Sequence, residues 1–143
     1  QINMNKHTHI GVYGLIMKED KVLLIKKARG AYTGKYDLPG GKIEFGESPI
    51  EALKREIAEE TGLSCKNAEL IDALSHRVQW EKENGDMEDL HHLGFIYKVR
   101  VESTANIKDT FDGHDSLGAE WICVKNMDKD TLTPFAYKVM YSL

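Results

Sequence analysis

Residues 41 to 63 read Gly41-Lys42-Ile43-Glu44-Phe45-Gly46-Glu47-Ser48-Pro49-Ile50-Glu51-Ala52-Leu53-Lys54-Arg55-Glu56-Ile57-Ala58-Glu59-Glu60-Thr61-Gly62-Leu63, a glycine-bearing turn that feeds an acidic helix. Ser48 offers a side-chain acceptor to the first amides, Pro49 suits the first helical position, and Glu51 completes a capping box. The spacing predicts a helix over Pro49 to Thr61, closed by Gly62. At about 100° per residue, Ile50, Leu53 and Ile57 share the arc that packs on a sheet. Glu56, Glu59 and Glu60 occupy a neighbouring arc, and their carboxylates are expected to converge near one point. Acidic residues on a helix are ordinarily solvated surface. Here Glu60 falls only about 20° from Leu53, so the acidic arc borders the buried face instead of opposing it. Ala52, small and on the same arc, is expected to leave room above the site. Like charges at these spacings repel by roughly 0.2–0.5 kcal/mol per pair, which asks for a cation. Three oxygen-only ligands suit a hard ion, Mg²⁺ or Mn²⁺, that keeps waters and bridges to substrate phosphates.

Outward from this stretch, His9 to Met17 and Lys21 to Lys27 are rich in apolar and β-favouring residues and flank the charged break Lys18-Glu19-Asp20, the pattern of a β-hairpin. Gly30 to Gly34 reads as a loop, and Tyr36 to Pro39 as an extended piece entering Gly40-Gly41. After the helix, Ala68 to Trp80 and Leu90 to Val101 read as two long strands joined through the turn signal Asn84-Gly85. Glu120 to Val124 is a further short strand, and Thr133-Pro134 opens a closing helix, Phe135 to Tyr141. The expected architecture is α/β, a mixed sheet flanked by helices, in a single domain over residues 1–143.

With 143 residues, 41% of them hydrophobic, the chain is long enough to bury one core. A net charge of −4 gives no footprint for long nucleic acid, so the expected partner is a small nucleotide-type polyanion met through a cation. Cys65 and Cys123 form neither a disulfide framework nor a zinc pattern. No apolar run approaches the length of a membrane span, and the polar start lacks a signal-peptide core. A cytoplasmic enzyme, monomer or homodimer, is the expectation. His91 and His92 are strand neighbours that point to opposite faces and cannot jointly clamp a metal. Tyr32, Tyr36, Trp80 and Phe95 are candidates for stacking on a base or, equally, for packing.

The opening stretch resembles the Nudix box, written Gly, five residues, Glu, seven residues, Arg-Glu-aliphatic-any-Glu-Glu-any-Gly-aliphatic. Gly41, Glu47, Arg55, Glu56, Ile57, Glu59, Glu60, Gly62 and Leu63 fill every specified position. The resemblance implies the Nudix α/β/α sandwich and metal-dependent hydrolysis of a pyrophosphate bond. It makes Glu56, Glu59 and Glu60 the metal-binding glutamates, Glu47 a supporting carboxylate, and Arg55 the residue that holds the cluster in register. A backbone carbonyl at Gly40 or Gly41 is a further implied ligand. The ions would neutralise the pyrophosphate and orient a water.

For the general base, the resemblance leaves two sources: a box glutamate, Glu59 or Glu56, or a later carboxylate among Asp112, Asp115 and Glu120. The box entry Gly40 to Glu47 resembles that of the mutator-type branch. No sizeable segment precedes the first strand, and the downstream markers associated with ADP-ribose and NADH hydrolases are missing. The expected substrate is therefore a nucleoside triphosphate or modified nucleotide, cleaved to a monophosphate and pyrophosphate; ADP-ribose or another nucleoside diphosphate sugar is the alternative. A non-catalytic binding module on the same fold is a weaker rival, since nothing but metal chemistry calls for all three glutamates with Arg55. An isomerase acting on an isoprenoid diphosphate lacks the histidine and cysteine pattern that would support it.

Overall fold

The computed structural model describes residues 4–110 and 116–143. Strand β1 (Met4–Lys18) turns into β2 (Lys21–Lys27), and β3 (Tyr36–Asp37) and β4 (Gly40–Lys42) lead to helix α1 (Pro49–Thr61). Strands β5 (Cys65–Glu81), β6 (Met87–Val101) and β7 (Ser116–Cys123) follow, then two 3₁₀ turns and helix α2 (Pro134–Met140). The sheet runs β3-β2-β1-β6-β5, with β4 also paired to β1 and β7 to β2. It is mixed: β1 and β6 run parallel from Met4↔Met87 to Ile16↔Val99, while the remaining pairs are antiparallel.

Strand alternation sorts the core onto two faces. Val12, Ile16, Leu23 and Ile25 point to one side, where Ala52, Leu53 and Ile57 of α1 cover them. Tyr13, Leu15, Val22 and Leu24 point to the other, against Phe135, Ala136, Val139 and Met140 of α2. These are the two helical layers of an α/β/α sandwich. Gly14 lets α1 approach the sheet, since a Cβ there would lie 3.1 Å from both Ile57 Cδ1 and Val99 Cγ2.

Helix α1 has the predicted bounds and caps. Ser48 Oγ accepts from the Glu51 amide at 3.2 Å, Glu51 Oε1 accepts from the Ser48 amide at 3.1 Å, and Gly62 closes the helix at φ 76°. The hairpin, the two long strands and α2 also stand where the sequence places them, with shifts at their ends. The largest shift is in β1, which starts at Met4 and not His9, because Met4–Ile10 pairs with β6 while remaining largely exposed. Ala52 corrects the expectation of open space above the glutamates: it is fully buried in the core beneath α1, on the sheet side of the helix.

Candidate active site

A cleft of about 730 Å³ opens where α1, β4, the middle of β1 and the end of β2 meet. Its acidic wall comes from one helix face, Glu56, Glu59 and Glu60, and its floor from Gly40 and Gly41. Lys27, Arg29, Lys42 and Lys108 supply positive charge around the same space.

Arg55 organises the acidic wall. Its Nε donates to Glu47 Oε2 at 2.7 Å and its Nη2 to Glu47 Oε1 at 2.9 Å, a two-bond fork that only a planar guanidinium makes. Nη1 donates to Glu56 Oε1 at 2.8 Å and reaches Glu59 Oε2 at 3.4 Å, while Nη2 also donates to the Lys42 carbonyl at 3.0 Å. The guanidinium thus spans the turn and the helix. Its hydrogen bonds hold the Glu47 carboxyl at about 2, well below the ordinary 4.5.

Glu60 is held separately. It is only 4% exposed, and its Oε1 accepts from the Gly40 amide at 2.7 Å. Burial pushes its pKa well up, opposed by that hydrogen bond and by Lys27. Both glycines are required sterically. Gly40 sits at φ 151°, where a Cβ would come within 2.0 Å of the Val12 carbonyl oxygen; a Cβ on Gly41 would come within 2.7 Å of the Glu56 carboxyl carbon. The Glu56 carboxylate therefore lies directly on the Gly41 backbone.

The structure brings Glu47, Arg55, Glu56, Glu59, Glu60 and Gly41 into one neighbourhood. The carboxylates share a cleft but do not meet at a point, which corrects the expected convergence. Among the described residues no three acidic, histidine or cysteine side chains are gathered as a metal centre would gather them. Like charges repel, and each carboxylate takes the nearest donor, Arg55 for Glu56 and Glu59 and the Gly40 amide for Glu60. Glu120 is elsewhere: it is not part of the cleft wall, and its Oε2 accepts from the Tyr36 hydroxyl at 2.9 Å. Asp112 and Asp115 lie outside the described residues. Of the aromatic candidates, Tyr32 lines a recess beside the cleft, whereas Tyr36, Trp80 and Phe95 line neither.

Sequence reasoning missed His9, Tyr13, Lys27, Arg29 and Lys108, which also line the cleft. His9 and Tyr13 share one face of β1, and Tyr13 Oη is hydrogen-bonded to His92 Nε2 at 2.6 Å. Burial lowers His92 from 6.5 to about 3, so its ring is neutral. No local pattern distinguishes these residues from ordinary strand and surface positions; only the pairing of β1, β2 and β4 around α1 collects them.

A fold of this kind with this site defines a class. The model of the NUDIX domain matches residues 6–143, and the chain belongs to the Nudix family. It is 45% identical over 123 residues to a Methanocaldococcus jannaschii protein named ADP-ribose pyrophosphatase, covering 86% of this chain and 66% of that one. It is 35% identical over 65 residues to the Escherichia coli K12 8-oxo-dGTP diphosphatase, covering 44% of this chain and 50% of that one. The crystal structure of a MutT Nudix hydrolase from Burkholderia pseudomallei superposes with a TM-score of 0.62 over 95% of this chain and 97% of that one, at 23% identity, a likeness of fold. The chain thus spans less than two thirds of the length of these two curated relatives.

Proposed function

We propose that the chain hydrolyses the pyrophosphate bond of a nucleotide-type substrate with Mg²⁺ or Mn²⁺ as the resident ion. The observation that carries this reading is the single cleft in which Glu56, Glu59 and Glu60 face Lys27, Arg29, Lys42 and Lys108. Carboxylates alone would repel a diphosphate, and cations alone would bind one without reacting. The donor set fits a hard divalent ion, because every candidate ligand is an oxygen: Glu56, Glu60, Glu59 and the carbonyl of Gly40 or Gly41. Such an ion, when bound, supplies charge neutralisation for the diphosphate and lowers the pKa of a water.

The chain's own groups do the rest. The lysines and Arg29 bind and orient the phosphates. Arg55 keeps Glu56 and Glu47 in place, and the Gly40 amide keeps Glu60 in place. Glu59 is the proposed general base: its side chain is 59% exposed and is met only by Arg55 at 3.4 Å among the described residues, so its lone pairs are the least committed of the three. It takes the proton of the attacking water, whose oxygen bonds to one phosphorus as the bridging P–O bond breaks and the other phosphate leaves with the bridging oxygen.

For the substrate, the long match at 45% identity favours a nucleoside diphosphate sugar of the ADP-ribose kind over the nucleoside triphosphate expected from the box entry. The triphosphate reading is the second, supported by the shorter match to the 8-oxo-dGTP diphosphatase. Turnover across ADP-ribose, related nucleoside diphosphate sugars and nucleoside triphosphates, with products identified, decides between them. A kcat/KM at least tenfold higher for ADP-ribose, about 1.4 kcal/mol of transition-state binding, supports the first reading, and the reverse ratio restores the second. No turnover of any of these compounds would overturn both.

A further inference from the structure

Beside the cleft lies a recess of about 210 Å³ that shares His9, Tyr13, Lys27 and Arg29 with it, so the two adjoin. The recess has aromatic walls, with the Tyr32 and His92 rings stacked at 6.3 Å and inclined by 26°. Two polar groups in it are not used by the proposed chemistry. One is Asp37, 3% exposed, on β3. Its Oδ1 accepts from the Leu38 amide at 2.8 Å and from the Thr133 hydroxyl at 2.7 Å. Both hydrogen bonds fall on the same oxygen; among the described residues Oδ2 makes no hydrogen bond, and Lys27, which lines the same recess, acts on the carboxyl through its charge. The other is the Tyr32 hydroxyl, which is buried and has no hydrogen-bond partner among the described residues.

A buried phenol without a partner is costly unless something fills the space with a complementary group. Aromatic walls call for a planar ring. In its ionised form the Asp37 carboxylate calls for a donor on that ring's edge, and a carbonyl there would be repelled. Building on the proposed nucleotide hydrolysis, we propose that Asp37 and Tyr32 are specificity-determining residues that read the base, Asp37 Oδ2 accepting from the amino group of adenine and so rejecting the keto analogue hypoxanthine.

The pinning of Oδ1 makes the test sharp. In Asp37→Asn, the side-chain oxygen must stay where the Leu38 amide and the Thr133 hydroxyl both donate, so the amide nitrogen takes the place of Oδ2. An acceptor becomes a donor with no change in shape. Equilibrium binding of AMP and IMP, measured by calorimetry without reference to turnover, should favour AMP at least tenfold in the native chain and favour IMP in Asp37→Asn. The kcat/KM ratios for ADP-ribose against IDP-ribose, and for ATP against ITP, should follow the same inversion. Tyr32→Phe should weaken AMP binding severalfold while leaving the melting temperature unchanged or higher, since it removes an orphan hydroxyl. An AMP to IMP ratio that is the same in native and folded Asp37→Asn protein, or unchanged AMP affinity in Tyr32→Phe, would overturn the assignment. Loss of turnover with the binding inversion intact would instead count against the proposed hydrolysis alone.

Discussion

The guanidinium of Arg55 grips the carboxylate of Glu47 through two parallel hydrogen bonds, at 2.7 and 2.9 Å, and so ties α1 to the turn that precedes it. The same guanidinium donates to Glu56, one residue along the helix. The turn, the helix and the acidic wall are therefore set by one side chain, and its geometry matters more than its charge.

Arg55→Lys keeps the charge and loses the fork. An ammonium cannot donate to Glu47, Glu56 and the Lys42 carbonyl from one rigid plane. Activity is expected to fall by about ten- to a hundredfold, the scale of a lost charge-assisted hydrogen bond, while circular dichroism stays native. Equal kcat/KM in the two proteins would show that Arg55 acts only as a positive charge.

Gly41→Ala and Gly40→Ala should separate function from folding. The added methyl on Gly41 meets the end of a flexible side chain, the Glu56 carboxyl at 2.7 Å, which swings aside with the fold kept and activity lost. On Gly40 it meets backbone, the Val12 carbonyl at 2.0 Å, in a conformation that disfavours any side chain. Thermal melts should show a small shift for Gly41→Ala and a large loss for Gly40→Ala. The opposite order would contradict the packing described.

His92 predicts a specific pH dependence. Its folded-state pKa is lowered by burial from 6.5 to about 3, so the unfolded chain binds a proton in this range that the folded chain does not. The His92 contribution to stability is fully present above pH 6.5 and is lost as pH drops toward 3, with a slope up to about 1.4 kcal/mol per pH unit, while the raised Glu60 carboxyl acts with the opposite sign. The carboxylates held low by their partners, Glu47 and Asp89, each at about 2, add their loss only below their unfolded values of 4.5 and 3.8. Denaturant titrations between pH 6.5 and 5 should therefore show a slope that His92→Gln removes. An unchanged slope in that variant would assign it to other groups.

Much of this was legible in the residues. The helix bounds, both caps and the acidic arc of Glu56, Glu59 and Glu60 were legible because capping and side-chain periodicity are local, whereas Glu47 and Arg55 were implied by the resemblance to the Nudix box. The N-terminal half of β1 was not legible, since Met4–Ile10 is largely exposed and shows no alternation; its strand state comes from the parallel partner β6. Asp37 was passed over for a related reason. Within the extended piece Tyr36 to Pro39 it carries no local signal of a buried carboxylate, and only the return of α2 brings Thr133 to its Oδ1. Lys27, Arg29 and Lys108 look like ordinary surface cations until β1, β2 and the segment after β6 surround α1. The separation of the carboxylates was invisible too, because a helical wheel places Cβ atoms and not the donors that capture the chain ends.

The most direct test is hydrolysis of ADP-ribose and of nucleoside triphosphates with Mg²⁺, followed by phosphorus NMR in isotopically labelled water, for the native chain and for Glu56→Gln, Glu59→Gln and Glu60→Gln. The expected result is Mg²⁺-dependent cleavage of a pyrophosphate bond with label on a phosphate product, and rates lowered about a hundredfold or more in each variant while the melting temperature holds. Native-like rates in the three folded variants, or label in a sugar or base product, would contradict the account.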